Sequence, residues 1–299
     1  MSTRREHRIA TVGDNTVDVY TTLGMYYPGG NAVNVAVFLK RLGIDSSYVG
    51  NIGDDEAGAV LLNALNSEAI DLSRTRVVRG PNAWAAVRHE GSDRTFLGSD
   101  PGVCQPLLLD NDDMTFLATH DIVHTTRYSG LEAHMPALHS TAGMLSFDFS
   151  DDWSSDYIAR VAPHVDLAFL SCSGLQADDC KRLARQIFAA GPREVVLTRG
   201  SEGAMAFDGD RFACIAPAST NVIDTLGAGD GLISGYLAGR VGGEDPHACL
   251  TRGIAYAAHV CGYEGAFGYV SELSDALKDR IAPLLHVATS TDENSKGEA

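Results

Sequence analysis

Short apolar runs alternate with stretches of helical hydrophobic spacing over most of the chain. The apolar runs predict buried β-strands at residues 9–13, 121–124, 145–149, 166–170 and 194–198. Between the later runs, the helical spacing predicts helices at residues 110–118, 131–140, 155–162 and 177–190. Alternation of strand and helix is typical of an α/β domain with a mainly parallel sheet and right-handed crossovers.

The N-terminal third adds a different pattern to this alternation. A Pro-Gly-Gly turn leads into a helix that ends at Gly43, and a strand at 47–53 precedes a helix at 54–65. Short alternating segments between residues 75 and 97 then predict an antiparallel β meander. We interpret the meander as a lid over a site, with an edge extension of the sheet or a dimer surface as alternatives.

The C-terminal part predicts a hairpin and two closing helices, at residues 203–215, 246–262 and 271–285. We expect residues 1–285 to form one domain with lid segments near 19–28 and 75–100. The small, polar residues of 286–299 are expected to form a disordered tail.

Composition restricts the partners and the compartment. Lys and Arg total 23 and Asp and Glu total 39, so the formal net charge is −16. This balance argues against nucleic acid or an anionic membrane as the main partner, although helix N-termini can bind an anionic ligand without basic side chains. No C-x-x-C pair is present, and no run approaches the ~20 apolar residues of a membrane span. Without a signal-peptide apolar region at the N-terminus, we expect a cytoplasmic protein with reduced thiols.

Several common catalytic motifs are missing from the sequence. No lysine follows a glycine, as a Walker A loop requires, and no H-E-x-x-H pair occurs. The segment 200–203 does not match the nucleophile-elbow pattern. These absences argue against a P-loop NTPase, a zinc metalloprotease and a serine hydrolase.

A late glycine-rich stretch, residues 222–235, leads into helical apolar spacing. Small residues let the backbone approach a ligand, and the first amides of a helix favour an anion. A carboxylate in such a site repels the anion, so Asp230 suggests a base that takes a proton from an attacking hydroxyl beside a phosphate. The alternative is that Asp230 only caps the helix.

Polar residues near the start of the chain predict a second half of the site. Asp14 and Asp18 follow the first strand, where open α/β sheets bind ligands. Gly30, Asn31 and Asn34 begin the next helix, and the two amides lie one turn apart. These residues could hold a polyol. The alternatives are turn residues for the aspartates, an N-cap for Asn31 and a surface position for Asn34.

The segment Gly29-Gly30-Asn31-Ala32-Val33-Asn34 combined with Asp224-Thr225-Leu226-Gly227-Ala228-Gly229-Asp230 resembles the ribokinase (pfkB) family of carbohydrate kinases. The resemblance covers roughly residues 8–270. It implies a three-layer, Rossmann-like α/β domain with a small β lid. It also implies ATP and Mg²⁺ as cofactors and, commonly in the family, activation by K⁺.

The resemblance assigns roles on the acceptor side of the site. Asp230 would be the general base, and the amides of Gly227, Ala228 and Gly229 would stabilise the transferred phosphoryl group. The residues that would bind the sugar are Asp14, Asp18, Gly30, Asn31 and Asn34.

Roles on the nucleotide side follow from the same resemblance. Thr198 and Gly200 match the phosphate-side Thr-x-Gly of the family, and Gly265-Ala266 falls near the adenine pocket. Asp224 lies where the family places a monovalent-cation ligand. The chain departs from the family at residues 171–174, because Ser-Cys-Ser-Gly replaces the usual Asn-x-x-Glu element that arranges Mg²⁺ and phosphates.

Within the family, the chain is most similar to the fructoselysine 6-kinases. The shared features are Gly13-Asp14-Asn15 with Asp18, the short connection to Gly29, Asp121-Ile122-Val123-His124, and Phe147-Asp148-Phe149-Ser150-Asp151 with Trp153. The similarity implies ATP-dependent phosphorylation of the 6-hydroxyl of fructoselysine or a related fructosamine.

Alternatives to this activity stay open at the level of the sequence. They are a kinase for another sugar or sugar acid, such as fructose or 2-keto-3-deoxygluconate, and a non-catalytic sugar or nucleotide sensor. Arg127, Asp100 and Glu132 are candidates to meet the amine part of the substrate, or else ordinary surface charges. A homodimer formed through the lid is also open.

Overall fold

The computed structural model describes residues 7–90 and 93–294. The strands are β1 (Arg8–Val12), β2 (Thr16–Tyr20), β3 (Met25–Gly29), β4 (Asp45–Val49), β5 (Asn51–Gly53), β6 (Arg76–Val78), β7 (Trp84–Glu90), β8 (Asp93–Asp100), β9 (Ile122–Thr126), β10 (Leu145–Asp148), β11 (Leu167–Ser171), β12 (Glu194–Thr198), β13 (Ala204–Phe207), β14 (Phe212–Ile215) and β15 (Ser271–Glu272). The α-helices are α1 (Asn31–Arg41), α2 (Glu56–Ser67), α3 (Asn111–Leu117), α4 (Met135–Thr141), α5 (Ser155–Val161), α6 (Ala177–Ala190), α7 (Ala228–Val241), α8 (Pro246–Val260) and α9 (Asp275–Asn294).

The central sheet runs β14-β13-β12-β11-β10-β9-β1-β4 in the described part of the chain. Strands β4, β1, β9, β10, β11 and β12 are parallel, and the hairpin β13–β14 adds two antiparallel strands at one edge. Nearly every residue of these parallel strands is buried, as expected for a sheet that is covered on both faces. The predicted α/β class with a mainly parallel sheet is confirmed.

Helices cover both faces of the central sheet and complete three layers. On one face, α3, α4, α5 and α6 bury apolar side chains such as Leu138 and Ile187. On the other face, α1, α7 and α8 contribute Leu39, Tyr236 and Leu250, all fully buried. Because each such side chain contributes roughly 1.5–3 kcal/mol on burial, these faces hold the helices against the sheet.

A second sheet, the lid, contains β15-β3-β2-β7-β8 in that order. Its strands are antiparallel except for the parallel pair β2 and β7. Side chains alternate along β2, so Val17 and Val19 point to one face of the lid while Asp18 and Tyr20 point to the other. The lid therefore has an apolar outer face and an inner face that carries polar groups.

The final helix α9 covers the outer face of the lid. Leu277 and Ile281 are buried there in one cluster with Val19 and Trp84. The Arg280 guanidinium adds a hydrogen bond of 3.0 Å to the backbone oxygen of Asn82.

The homodimer that could form through the lid stays a prediction.

Three predicted elements differ from the observed ones. The predicted strand at 47–53 is divided into β4 and β5, and β6 pairs in parallel with β5 instead of joining the meander. The predicted helix at 271–285 begins with strand β15, which pairs with β3, and its helix starts at Asp275 and extends to Asn294. These differences arise from pairing between distant segments, which local periodicity does not specify. The rest of the expected tail, 295–299, lies outside the described residues, and the single-domain assignment stays a prediction.

No helix within 7–90 and 93–294 is both long enough and apolar enough to cross a membrane.

We predict that α9 stabilises the fold through its contact with the lid. Ile281→Ala should lower the free energy of unfolding by roughly 2–4 kcal/mol, because Ile281 is completely buried and its loss leaves a cavity. Urea denaturation measures this change. Asp279→Ala, at an exposed position of the same helix, is the control and should stay within about 0.5 kcal/mol. Equal stability of the two variants would contradict the prediction.

Candidate active site

The carboxyl ends of the parallel strands meet at one edge of the central sheet, and polar residues stand there. Asp14 follows β1, while Thr126, Asp148, Ser171 and Thr198 are the last residues of β9 to β12. A cavity of about 610 Å³ opens at this edge and is lined by the last three of these residues. Such edges are the usual ligand sites of open α/β sheets.

Asp230 lies in the first turn of α7 and faces this cavity. The helix begins after Gly227, whose left-handed backbone (φ 76°, ψ 1°) caps the helix without a side-chain hydrogen bond. The Asp230 carboxylate is 7% exposed and accepts a hydrogen bond of 2.8 Å from Asn34 Nδ2. The helix end is therefore capped by backbone, and Asp230 is oriented by a side chain of α1. The alternative interpretation of Asp230 as a cap is not supported by this geometry.

The lid brings Asp18 to the same place. Its carboxylate lies so close to Gly29 that a Cβ at position 29 would stand 2.1 Å from Asp18 Oδ2 and 3.7 Å from Asn34 Oδ1. Asn34 is 3% exposed, and its Oδ1 has no hydrogen-bond partner among the described residues. Asp18, Asn34 and Asp230 thus come together from the lid, α1 and α7, and of these three residues Asp230 lines the cavity whereas Asp18 and Asn34 do not.

Asp14 is held by the protein rather than exposed to the cavity. Its carboxylate accepts hydrogen bonds from the Asn31 amide (2.7 Å) and from the hydroxyls of Thr126 (2.6 Å) and Ser129 (3.1 Å). Gly30, with φ 102°, is the cap residue of α1, and Asn31 is the first helical residue. Asn31 is therefore not the N-cap; its side chain contacts Asp148 and lines the cavity. Asp14 joins β1, β9 and the start of α1.

Buried carboxyl groups dominate the electrostatics of the site. Burial raises the pKa of Asp230 well above its usual value, and the charges of Asp148, Asp14 and Asp18 raise it further, while the Asn34 hydrogen bond lowers it. Burial likewise raises the pKa of Asp148 to about 7, against the hydrogen bond from the Ser150 amide. Desolvation and the neighbouring negative charges therefore make Asp230 easier to protonate than an exposed aspartate.

Most of the predicted nucleotide-side residues line the same cavity. Thr198, Gly200, Gly227, Ala228 and Gly229 all contribute to its wall. A Cβ added at Gly229 would meet no atom within 4 Å, so the helix start opens towards the cavity. The Ala228 amide donates to the Thr225 carbonyl at 3.2 Å, which closes the turn before α7.

The far end of the cavity is apolar and comes from distant segments. Its residues are Pro217, Ala218, Thr220, Val222, Ile254, Ala257, Ala258 and Cys261. The predicted adenine-side pair is placed elsewhere: Gly265 packs on the Tyr27 ring, and Ala266 lies behind Gly227. The sequence carries no local signal for this wall, because its residues belong to a loop and to one face of α8.

Asp224, the predicted monovalent-cation ligand, is buried and surrounded by donors. Its carboxylate accepts from the Leu226 amide (2.9 Å), the Gly265 amide (3.1 Å) and the Tyr20 hydroxyl. These donors take three of the roughly four acceptor positions of the carboxylate. The role of Asp224 as a monovalent-cation ligand stays a prediction, and we derive no step through K⁺.

Other charged candidates are engaged elsewhere. Arg127 pairs with Asp152, Asp100 pairs with Arg280, and Glu132 accepts from the Tyr157 hydroxyl. Arg199, beside Thr198, forms an ion pair with Glu202. The residues that sequence reasoning had not assigned to the site are Asp148, Ser150 and Asp151. The position of Asp148 at the end of a predicted strand was the signal that could have identified it.

Comparison with known proteins identifies the family of the chain. The sequence profile of the pfkB family carbohydrate kinases matches residues 8–270. The chain belongs to the pfkB family of carbohydrate kinases. Fructosamine kinase FrlD of Bacillus subtilis is 42% identical over 266 residues, which cover 88% of this chain and 93% of that protein. Fructoselysine 6-kinase of Escherichia coli is 38% identical over 260 residues, covering 87% and 99%.

Solved structures of proteins described as ribokinases share the fold. Ribokinase of Arabidopsis thaliana, complexed with ribose and ATP, superposes with a TM-score of 0.76 at 18% identity, covering 91% of this chain and 98% of that chain. An Escherichia coli protein described as ribokinase II, complexed with ATP and Mg²⁺, gives a TM-score of 0.76 at 19% identity, covering 94% and 99%. The ribokinase-like, three-layer fold expected from the sequence is confirmed.

We predict a pH dependence from the crowded carboxyl groups. A base with a raised pKa loses its ionised form at a higher pH, so kcat/KM should fall on an acid limb well above the ordinary aspartate value of about 3.9. Asp148→Asn should move this limb to lower pH, because it removes a negative neighbour of Asp230. Asp210→Asn, in an exposed turn, should leave the limb in place. Identical profiles for all three proteins would contradict the prediction.

Proposed function

We propose that the protein transfers the γ-phosphoryl group of ATP to the 6-hydroxyl of fructoselysine or a related fructosamine. The observation that carries the proposal is that Asp18 and Asn34 lie beside Asp230, which lines a cavity together with the start of α7. Sugar-binding polar groups, a base and an anion-favouring helix end are thus within one site. The names of the two relatives support the sugar-amine substrate.

Asp230 would act as the general base on the sugar hydroxyl. Its hydrogen bond from Asn34 orients the carboxylate, and its raised pKa brings its basicity closer to neutral pH. The proton of the attacking hydroxyl would move to a carboxylate oxygen of Asp230 as the oxygen attacks the γ-phosphorus in line. The bond from the γ-phosphorus to the oxygen that bridges to the β-phosphate would break at the same time, and ADP would leave with that oxygen. Gly227 and Gly229 place backbone without side chains at the cavity, where their amides would stabilise the transferred charge, whereas the Ala228 amide already donates to the Thr225 carbonyl.

The cavity suits a nucleotide whose adenine ring lies at the apolar far end and whose phosphates lie at the start of α7. Its volume is within the range of small-molecule sites, its far end is apolar enough for an adenine ring, and its middle presents the start of α7. The described residues hold no cluster of three or more His, Cys, Asp or Glu side chains that could bind a metal. Mg²⁺ would therefore enter with the phosphates of ATP, whose charge it neutralises, and keep several waters.

The acidic residues of the cavity lining favour a cationic substrate. Asp148, Asp151 and Asp230 line the cavity, whereas its described lining contains no Lys or Arg. The amine that links sugar and lysine in fructoselysine carries a positive charge when protonated. The positive charge of this amine would relieve the repulsion among these carboxylates. Neutral fructose would leave the repulsion unchanged, and the carboxylate of a sugar acid would increase it. We therefore propose that Asp148 pairs with the substrate amine.

A substrate panel tests the proposed activity directly. ADP release with ATP should be fastest with fructoselysine among fructoselysine, fructose, ribose, 2-keto-3-deoxygluconate and a nucleoside. Preference for the ketodeoxygluconate or the nucleoside would overturn the proposed substrate class. Absence of ADP release with every sugar would favour the sensor instead.

We predict that Asp230→Asn lowers kcat by roughly 10²–10⁴, because the amide cannot accept the hydroxyl proton. Sugar affinity, measured by calorimetry, should change little because Asn keeps the shape of the side chain. Asp245→Asn is the matched control. Asp245 caps α8 by accepting a hydrogen bond of 2.9 Å from the Ala248 amide, and Asn caps a helix as well as Asp does. Equal turnover of Asp230→Asn and wild-type protein would exclude Asp230 as the base.

We predict that Asp148→Asn weakens the preference for a charged substrate. A hydrogen bond to a charged group contributes about 1.5–3 kcal/mol, so kcat/KM for fructoselysine should fall about 10- to 100-fold more than for fructose. With wild-type protein, this preference should rise between pH 6 and 8, because the pKa of Asp148 is about 7 and its ionised form pairs with the amine. Asp156→Asn, an exposed residue of α5, controls for the change in net charge. An unchanged substrate ratio in Asp148→Asn would reject the pairing.

A further inference from the structure

The sugar-facing strand of the lid also reaches the loop that precedes α7. Asp18 and Tyr20 lie two residues apart on β2 and therefore point to the same face of the lid. Asp18 meets the sugar site, whereas Tyr20 extends to Asp224. Tyr20 is completely buried, and its hydroxyl donates to Asp224 Oδ2. One short strand thus contacts both halves of the site.

Asp224 begins the loop that we call the phosphate loop, residues 224–229. Its Oδ1 accepts from the Leu226 amide at 2.9 Å, directly before the left-handed turn at Gly227. Its Oδ2, which receives the Tyr20 hydroxyl, also accepts from the Gly265 amide at 3.1 Å. A buried carboxylate needs these donors because removal of any one exposes a desolvated charge. Tyr20 is therefore one of the donors that hold the orientation of Asp224, and with it that of the loop.

A second tyrosine of the lid supports the same contact. The Tyr27 ring lies 4.9 Å from the Tyr20 ring, and its hydroxyl donates to Glu264 Oε2 at 2.9 Å. The ring fills the space beside Gly265, where an added Cβ would stand 2.3 Å from it. The inner face of the lid therefore packs on both segments that hold Asp224.

We propose that Tyr20 is a positioning residue that ties the sugar-binding strand β2 to the phosphate loop, so that sugar binding and nucleotide binding strengthen each other. This inference rests on the proposed function, because it takes Asp18 as a sugar contact and residues 224–229 as the phosphoryl site. A sugar that orders β2 through Asp18 orders the loop through Tyr20 and Asp224. Sugar binding would thereby raise nucleotide affinity by some factor, and by linkage the nucleotide would raise sugar affinity by the same factor.

Tyr20→Phe tests the proposal, with Tyr26→Phe as the matched control. Both variants remove one hydroxyl from a buried tyrosine of the lid, but Tyr26 lies in the cluster on the outer face. Sugar affinity is measured by calorimetry with and without a non-hydrolysable ATP analogue. We expect the analogue to strengthen sugar binding to wild-type protein and to Tyr26→Phe about 5-fold or more, and to leave Tyr20→Phe nearly unaffected. At saturating ATP, the sugar KM of Tyr20→Phe should rise about 5-fold because the coupling is lost, and its kcat should fall about 10-fold.

Amide hydrogen exchange gives a readout that needs no substrate. Peptides that contain Leu226 and Gly265 should exchange faster in Tyr20→Phe than in wild-type protein or Tyr26→Phe. Unchanged exchange and unchanged coupling in Tyr20→Phe would overturn the proposal, as would equal losses in Tyr26→Phe. Wild-type protein that phosphorylates no sugar would refute the proposed function alone, and the exchange rates would still decide the role of Tyr20. If Tyr20→Phe does not fold, Asp224→Asn replaces it, because the amide no longer accepts from one of the donors. Asp224→Asn should show the same faster exchange, and normal exchange would overturn the proposal.

Discussion

Burial of several carboxylates around one small cavity is the constraint on which this structure depends. Asp14, Asp148 and Asp230 are largely withdrawn from water, and each would carry a large desolvation cost without hydrogen-bond donors. The fold supplies the donors from the places where backbone amides and polar side chains are free. Asp14 uses the start of α1, Asp148 the turn after β10, and Asp230 the side chain of Asn34. The edge of the sheet and the starts of the helices are therefore the elements that make the site possible.

The repulsion that remains among these carboxylates bears on the proposed chemistry. Like charges raise the pKa of Asp230, which gives a stronger base than an exposed aspartate, and they favour a ligand that brings positive charge. The apolar far end of the cavity and the start of α7 suit an adenine ring and its phosphates without any lysine in the lining. In the proposed function, one cavity would combine an acidic end for a sugar amine with an end for a nucleotide, which agrees with membership of a carbohydrate kinase family.

The strands of the lid alternate between two environments. On its outer face, Val19 and Trp84 are buried against α9, so the lid is supported from behind by the same chain. On its inner face, Asp18 approaches the sugar site and Tyr20 contacts Asp224. A period of two residues is sufficient to separate these roles along a five-residue strand. The inner face of the lid consequently lies beside Asn34 and also contacts the loop before α7.

The sequence by itself determined the class of fold, because apolar periodicity is local and each strand and helix of the central layers carries its own signal. It also identified Asp230 and the glycines before it, since a helix start with a carboxylate is readable from consecutive residues. Only the tertiary structure decided that Asp14 is held by Asn31, Thr126 and Ser129, that Asp148 belongs to the site, and that loop and α8 residues form the far wall. It also paired β6 with β5 and placed β15 in the lid. These features join segments that are distant in the chain, and no local pattern records which distant partner will satisfy a buried charge or an unpaired strand edge.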